Sequence, residues 1–305
     1  MEKIEKVIIL GAGPAGLSAA LYAARAELDP LVFTGLQIGG QASLTDRIEN
    51  YPGFPEGVGG AELGERFQTQ AERFGATVEF DSVIKVDLNA RPFKVRTYSK
   101  EYLSRTVIIA TGATPVTLNI PGESEFVGKG VSYCATCDGW FFKDKKVVVV
   151  GGGDSALEEA LFLTRFAREV KIVHRRDAFR AGALLQSRIR ENDKISLELD
   201  SIVLKIEGSD KVEEIVLKNQ KTGVEKSIKA DGIFIFIGHA PNNLLYSGQL
   251  DMDEKGFIVI NSKMQTSIPG VFAAGEAADS EYKQVITSAG MGAAAAIQAQ
   301  KYLSQ

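Results

Sequence analysis

"VIILGAGPAGLSAALYAARAELDPLVFTG" (Val7 to Gly35) and "VVVVGGGDSALEEALFLTRFAREVKIVHR" (Val147 to Arg175) superpose without a gap. Gly11 falls on Gly151, Gly13 on Gly153 and Gly16 on Ala156, and Leu17, Leu21 and Arg25 fall on Leu157, Leu161 and Arg165. Each copy reads as strand, tight turn, helix, strand. The apolar run before each first glycine suits a parallel strand buried on both faces, where alternation is not expected. After the turn, apolar positions recur at helical spacing (Leu157, Ala160, Leu161), with Glu158 and Glu159 turned outward. The second strands are "PLVFTG" and "EVKIVHR". The glycines have separate tasks. The first permits the turn, the second lets a pyrophosphate approach the backbone, and the third, or an alanine, lets helix and strand pack closely. The helix N-terminus then offers free N–H groups and the positive end of its dipole to phosphates. One G-x-G-x-x-G is weak evidence. Two copies, each between a strand and a helix and each returning to a second strand, read as two dinucleotide-binding units.

The end of the second strand sets nucleotide choice: an acid there bonds a ribose 2′-hydroxyl, and arginine accommodates a 2′-phosphate. The second copy continues as "HRRDAFR", with His174, Arg175, Arg176 and Arg180. Guanidinium groups engage phosphate through paired hydrogen bonds, so this copy is expected to take NADPH rather than NADH. The bland alternative is a solvated basic turn. The first copy ends in Thr34-Gly35, neither acid nor arginine, and its residues alone name no nucleotide.

The chain has 305 residues, 45% hydrophobic and 24% charged, an ordinary globular profile with length for about two domains. A net charge of −4 gives no electrostatic case for nucleic acid or an anionic membrane. No apolar run approaches the roughly 20 residues of a spanning helix. "MEKIEKVIILGAG" does not read as a signal peptide, because its apolar run is only Val7 to Leu10. With two cysteines in all, a reducing cytosol is the expected compartment.

Both units close alike, "VIIATGATP" (Val107 to Pro115) and "IFIFIGHAP" (Ile233 to Pro241) being apolar strands that run into glycine and then proline. Before each lies a stretch of short β-like segments and turns, including "VIKVDL", "FKVRTY" and "IVLKIE", read as small meanders. "MQTSIPGVFAAGEAAD" is then a strand opening on Gly275, and "QVITSAGMGAAAAIQAQKYL" an alanine-rich helix that returns to the first unit. The expected fold is α/β with two Rossmann-like dinucleotide-binding domains, each with a small β meander, the second inserted in the first. Residues 1–114 and 242–305 form one domain and 115–241 the other, with Gly- and Pro-rich crossings suited to a hinge.

"SYCATCDGWFF" (Ser132 to Phe142) holds both cysteines, Cys134 and Cys137. Three readings compete. A zinc site needs four ligands, and His174 and His239 are the only histidines available to complete one. An inert buried pair is the second. The third is a disulfide that cycles, through a thiolate and a mixed disulfide. Asp138 follows at once, and a carboxylate in a first helical turn is favoured anyway. Trp140 and Phe141 are either core or a docking surface.

The chain resembles the low-molecular-weight thioredoxin reductases of the flavin disulfide reductase superfamily over nearly its whole length. The resemblance rests on "GAGPAG", "GLQIGGQ", "ENYPGF", "IIATGA", "CATCDG", "GGGDSALEEA", "HRRDAFRA", "FIFIGHAPN", "GVFAAGE" and "KQVITSAGMGAAAA". It implies FAD on the first unit, NADPH on the second, thioredoxin as partner and a homodimer. It places Gly11, Gly13, Pro14 and Ala15 at the FAD pyrophosphate, and Gly40, Gln41 and Asn50 along the isoalloxazine. Thr111 and Gly112 fall on the closing turn, and Gly275 and Glu276 at the ribityl chain. Gln284 and Val285 fall at the start of the last helix. NADPH falls to Gly151, Gly153, Asp154, Ser155, His174, Arg175, Arg176 and Arg180. The resemblance assigns Cys137 to the flavin side, Cys134 to the partner's disulfide, and to Asp138 the protonation of the leaving thiolate.

Three residues depart from the family pattern. Glu276 stands where Asp is usual, Lys283 where Arg is frequent, and Asp154 where Asn is frequent. A carboxylate at Asp154 disfavours a pyrophosphate unless it points away. Disulfide and nicotinamide both belong to the inserted domain and both must reach one flavin ring, so a large domain rotation is expected. Two rivals remain: a related redox enzyme fed by ferredoxin, serving another protein carrier or using oxygen, and a nucleotide-binding sensor without turnover.

Overall fold

The computed structural model describes residues 3–35, 37–45 and 47–305, and Leu36 of the GLQIGGQ motif lies outside them. The chain begins with β1 (Ile4–Leu10), α1 (Pro14–Arg25), β2 (Leu31–Phe33), α2 (Gly60–Arg73), β3 (Thr77–Glu79), β4 (Val83–Asp87), β5 (Phe93–Thr97), β6 (Glu101–Ile109) and β7 (Ala113–Pro115). It continues through β8 (Val131–Ser132), α3 (Ala135–Asp138), β9 (Lys146–Gly151), α4 (Asp154–Leu163), β10 (Glu169–Val173), α5 (Ala183–Glu191) and β11 (Ile195–Glu198). Next come β12 (Ser201–Glu207), β13 (Glu214–Asn219), β14 (Glu225–Lys229), β15 (Gly232–Phe236) and β16 (His239–Pro241), then β17 (Val271–Ala273) and α6 (Val285–Leu303). Two compact units result, Met1–Thr114 with Ala240–Gln305, and Pro115–His239.

In the first unit the sheet order is β3-β2-β1-β6-β5-β4, with β17 also on β6. β1 runs parallel along β6, whose other edge pairs antiparallel with β5 at its start and parallel with β17 at its end. Val7 and Ile9 join one apolar cluster, with Leu17, Ala295 and Ala299. Ile8 and Leu10 join another, with Phe33, Phe93 and Tyr246. Successive strand side chains point to opposite faces, and both faces are covered, so the run is apolar throughout. Each such buried side chain is worth roughly 1.5–3 kcal/mol relative to exposure.

α6 lies across the start of α1. Its Gly292, Ala295, Ala296 and Ala299 are buried at helical spacing, and a Cβ at Gly292 would come 1.9 Å from the Ala15 carbonyl oxygen. The alanine-rich sequence therefore lets two backbones approach at the first turn of α1.

The second unit has a parallel sheet, β11-β10-β9-β15-β8. Val147 and Val149 pack with Leu157 and Leu163, and Val148 and Val150 with Val203, Ile215 and Leu217. Its meander, β12-β13-β14, is a separate antiparallel sheet, whereas β4 and β5 extend the main sheet of the first unit.

Candidate active site

In the first unit, Gly11 turns the chain at φ +107, and a Cβ on Gly16 would sit 1.9 Å from the Gly11 carbonyl oxygen, so the first and third glycines serve backbone packing. Gly13 differs. A Cβ there would meet only the Gly40 Cα, at 4.0 Å. The Gly39 N–H donates to the Ala12 carbonyl at 2.8 Å, which seats the turn carrying Gly40 and Gln41 against Gly13, Pro14 and Ala15. Asn50 Nδ2 donates to Gln284 Oε1 at 3.1 Å and joins two residues 234 positions apart. Gln284 also caps α6 through reciprocal bonds with Thr287, which fixes Val285 as the first helical residue.

Two asparagines tie the remaining turns together. Asn242 Nδ2 donates to the Thr111 carbonyl at 3.0 Å, and its backbone N–H to the Gly112 carbonyl at 2.9 Å. Asn243, 3% exposed, donates from Nδ2 to Gly256 and Ala277, and its Oδ1 lies 3.5 Å from Thr111 Oγ1. The turn of Thr111 and Gly112 is thereby locked to the turn of Gly275 and Glu276. Burial pushes the Glu276 carboxyl up to about 7, opposed by the Lys283 ammonium and reinforced by Asp279. Asp279 accepts the N–H groups of Glu281, Tyr282 and Lys283, which shapes the loop ahead of α6.

In the second unit the glycine turn, the basic turn and the cysteine pair all follow carboxyl ends of strands of one parallel sheet, where α/β folds bind ligands. A Cβ on Gly153 would meet nothing within 4 Å. Asp154 Oδ1 accepts the Gly182 N–H at 2.8 Å, and the Gly152 carbonyl accepts the Arg180 N–H at 2.8 Å, so the Asp154 carboxylate is turned to hold the basic loop. Ser155 beside it is exposed. His174 is buried, bonds through Nε2 to the Ala178 carbonyl at 3.1 Å, and burial pushes its imidazole below the usual histidine range. Arg175, Arg176 and Arg180 are exposed. The acid in their turn, Asp177, is engaged by Lys221 at 3.0 Å, which also reaches Asp200 at 3.1 Å. Among the described residues no carboxylate pairs with the three guanidinium groups.

Cys134 and Cys137 form a disulfide with Cα atoms 5.3 Å apart. Cys134 caps the single turn α3, its Sγ accepting the Cys137 N–H at 3.2 Å. Asp138 is pushed up by burial and pulled back by the Ser132 hydroxyl, 2.6 Å away. The aromatic run divides: Phe142 is buried edge-on to Phe234, while Trp140 and Phe141 are 54% and 38% exposed.

The family model for pyridine nucleotide-disulphide oxidoreductases matches residues 5–292. The chain belongs to the pyridine nucleotide-disulphide oxidoreductase family. A relative from Rickettsia felis, named thioredoxin reductase, is 49% identical over all of both chains. One from Mycobacterium leprae, named bifunctional thioredoxin reductase/thioredoxin, is 48% identical over all of this chain and 67% of its own length. The crystal structure of thioredoxin reductase from Streptococcus pyogenes superposes with a TM-score of 0.94 at 40% identity, over 100% of this chain and 99% of that one.

The residues present fit a dinucleotide at each turn. Gly13 and Gly153 are the glycines with room where a side chain would stand, and neither is needed for packing. As in other oxidoreductases that pass electrons through a disulfide, a vicinal sulfur pair stands ready. Sequence reasoning missed Asn242, Asn243, Ser132 and Lys221. The amide doublet directly after Pro241 was the available signal for the first two. Ser132 opens the cysteine stretch, but its residue type there signals no role, and nothing near Lys221 in sequence marks it out.

Proposed function

We propose that the chain is an NADPH-dependent thioredoxin-disulfide reductase, with FAD on the first unit and NADPH on the second. The observation that carries this reading is the Cys134–Cys137 disulfide beside a buried carboxyl, on the sheet that also bears the glycine turn and its exposed arginines. The names of the Rickettsia and Mycobacterium relatives support thioredoxin as the acceptor. FAD, when bound, supplies two-electron chemistry between a nicotinamide and a disulfide.

The chain's own residues do the rest. Gly11, Gly13, Pro14 and Ala15 take the FAD pyrophosphate, Gly40, Gln41 and Asn50 orient the ring, and Thr111, Gly112, Gly275, Glu276, Gln284 and Val285 hold the rest of the cofactor. Gly151, Gly153 and Ser155 take the NADPH pyrophosphate. Asp154 and His174 shape the loop, and Arg175, Arg176 and Arg180 bind the 2′-phosphate. Cys137 works on the flavin side. Cys134 attacks the partner's disulfide, and the Cys137 N–H bonded to its sulfur favours the thiolate there. Asp138 gives its proton to the departing partner thiolate. The two half-reactions use one flavin in turn, so the second unit rotates between them. The enzyme works as a homodimer in a reducing cytosol.

The test compares NADPH with NADH as reductant of the purified flavoprotein, then follows NADPH oxidation with and without a thioredoxin. Fast flavin reduction by NADPH and thioredoxin-dependent turnover are expected. Equal, slow rates with both nucleotides, or flavin reduction only by a ferredoxin, contradict the reading.

A further inference from the structure

Ser132 ends β8, the edge strand beside β15, and is 4% exposed. Its Oγ has three polar neighbours: Asp138 Oδ2 at 2.6 Å, the Cys134 carbonyl oxygen at 3.2 Å and the Cys134 N–H at 3.1 Å. The Cys134 carbonyl also accepts the Asp138 N–H at 3.1 Å. These bonds close a ring through Ser132, Cys134 and Asp138. α3 is a single turn, so helix geometry alone does little to hold the Asp138 side chain, and the ring ties it to the main chain of a redox cysteine.

We propose that Ser132 is a positioning residue whose hydroxyl rotates with the protonation of Asp138 and keeps that carboxyl aimed and reversible during thiol–disulfide exchange. The inference rests on the proton-donor role proposed above for Asp138. A serine hydroxyl has one proton and accepts as well as donates. With Asp138 ionised, the hydroxyl donates to Oδ2, and the 2.6 Å separation suits a charge-assisted O–H···O bond. With Asp138 protonated, the acid donates to Ser132 Oγ, whose own proton turns to the Cys134 carbonyl. Both states leave Ser132 Oγ, Asp138 Oδ2 and the Cys134 N–H and carbonyl partnered, so the proton comes and goes without orphaning any of them.

The exchange step balances in these terms. In the mixed disulfide, Cys137 thiolate attacks Cys134 Sγ and the Cys134–Cys137 bond forms. The bond from Cys134 to the partner's sulfur breaks, and that sulfur leaves with the electron pair. Asp138 protonates it and becomes a carboxylate, and the Ser132 hydroxyl turns to meet the new charge. Burial and Ser132 are the influences that act on Asp138, with no charged side chain among them. Its titratable neighbours are the two thiols when reduced, and α4, packed on α3, carries Asp154, Glu158 and Glu159.

The experiment uses the full flavin-loaded enzyme with a thioredoxin disulfide as acceptor and compares wild type, Asp138→Asn, Ser132→Ala and the volume-matched pair Ser132→Thr and Ser132→Val. Asp138→Asn lowers the exchange half-reaction by about a hundredfold, in the range of a lost general acid. Ser132→Ala and Ser132→Val lower it about tenfold. Both also move the alkaline limb of the pH profile upward, because the group that favours the carboxylate is gone. Ser132→Thr restores both plateau and limb, and the losses fall on exchange rather than on flavin reduction. Wild-type plateau and limb in Ser132→Val, with Asp138→Asn impaired, overturn the Ser132 proposal alone. A wild-type profile in Asp138→Asn overturns the proton-donor role beneath it.

Discussion

In the first unit the strand after the meander, β6, has nine residues, and in the second its counterpart β15 has five. The extra length of β6 gives β5 an edge to pair with, and the first meander fuses to the main sheet. β15 offers none, and the second meander stands as its own sheet. The helices differ in the same sense. α6 presses Gly292 onto the Ala15 carbonyl at the start of α1, whereas Asp154 and Ser155 at the start of α4 are exposed. One repeat is thus backed by a helix and by turns stitched through Asn242 and Asn243. The other carries an open basic loop with Arg175, Arg176 and Arg180 exposed. The contrast suits a resident cofactor on the first and an exchanging one on the second.

The harshest way to break that division is at the sulfurs. Cys134→Ser is expected to abolish thioredoxin reduction while NADPH still bleaches the flavin, read by stopped-flow absorbance. Next come the open glycines, where a β-branched side chain fills the room kept for phosphate. Gly13→Val should yield folded but colourless protein. Gly153→Val should stay yellow with NADPH affinity down about a hundredfold, close to 3 kcal/mol. If Gly153→Val loses the flavin instead, the assignment of ligands to repeats is reversed.

Arg175→Ala with Arg176→Ala sharpens the contrast further. Charged hydrogen bonds are worth roughly 1.5–3 kcal/mol each, so NADPH should weaken by at least about tenfold while NADH binding holds steady. Titration calorimetry decides it.

Glu276 allows a test by pH. Burial raises it from 4.5 to about 7, so between those values the folded, flavin-stripped protein holds a proton that the unfolded chain has released. Stability therefore falls as pH rises through this window. Glu276→Gln should be more stable than wild type by on the order of 2 kcal/mol at pH 8 and indistinguishable at pH 4, in urea unfolding of the stripped protein. The smallest effect belongs to Lys221→Ala. It frees Asp177 next to the arginines through a surface pair worth about 0–1 kcal/mol, and should weaken NADPH about threefold.

The frame was legible because burial on both faces leaves its mark on consecutive residues. Val7–Leu10 and Val147–Val150 announced β1 and β9, and the glycines announced the turns. The strands "VIKVDL", "FKVRTY" and "IVLKIE" became β4, β5 and β12. Their sheet membership was not legible, since it depends on how far β6 and β15 extend. The orientation of Asp154 was equally hidden. Sequence shows a carboxylate at a phosphate turn, and only the Gly182 N–H, 28 residues on, shows where it points. Asn243 acts through Thr111, Gly256 and Ala277, distant in sequence, and Ser132, only six residues from Asp138, carries no pattern that pairs the two side chains. The carboxyl of Asp138 could be singled out from its place after Cys137, but its burial could not.

The central claim is that electrons from the pyridine nucleotide reach Cys134 and Cys137. Anaerobic titration of the flavin-loaded enzyme with NADPH, with thiols counted after denaturation, tests it directly. The account predicts about two reducing equivalents' worth of NADPH consumed beyond the flavin alone, and two new thiols per chain. Flavin that bleaches fully with no thiols gained would contradict it.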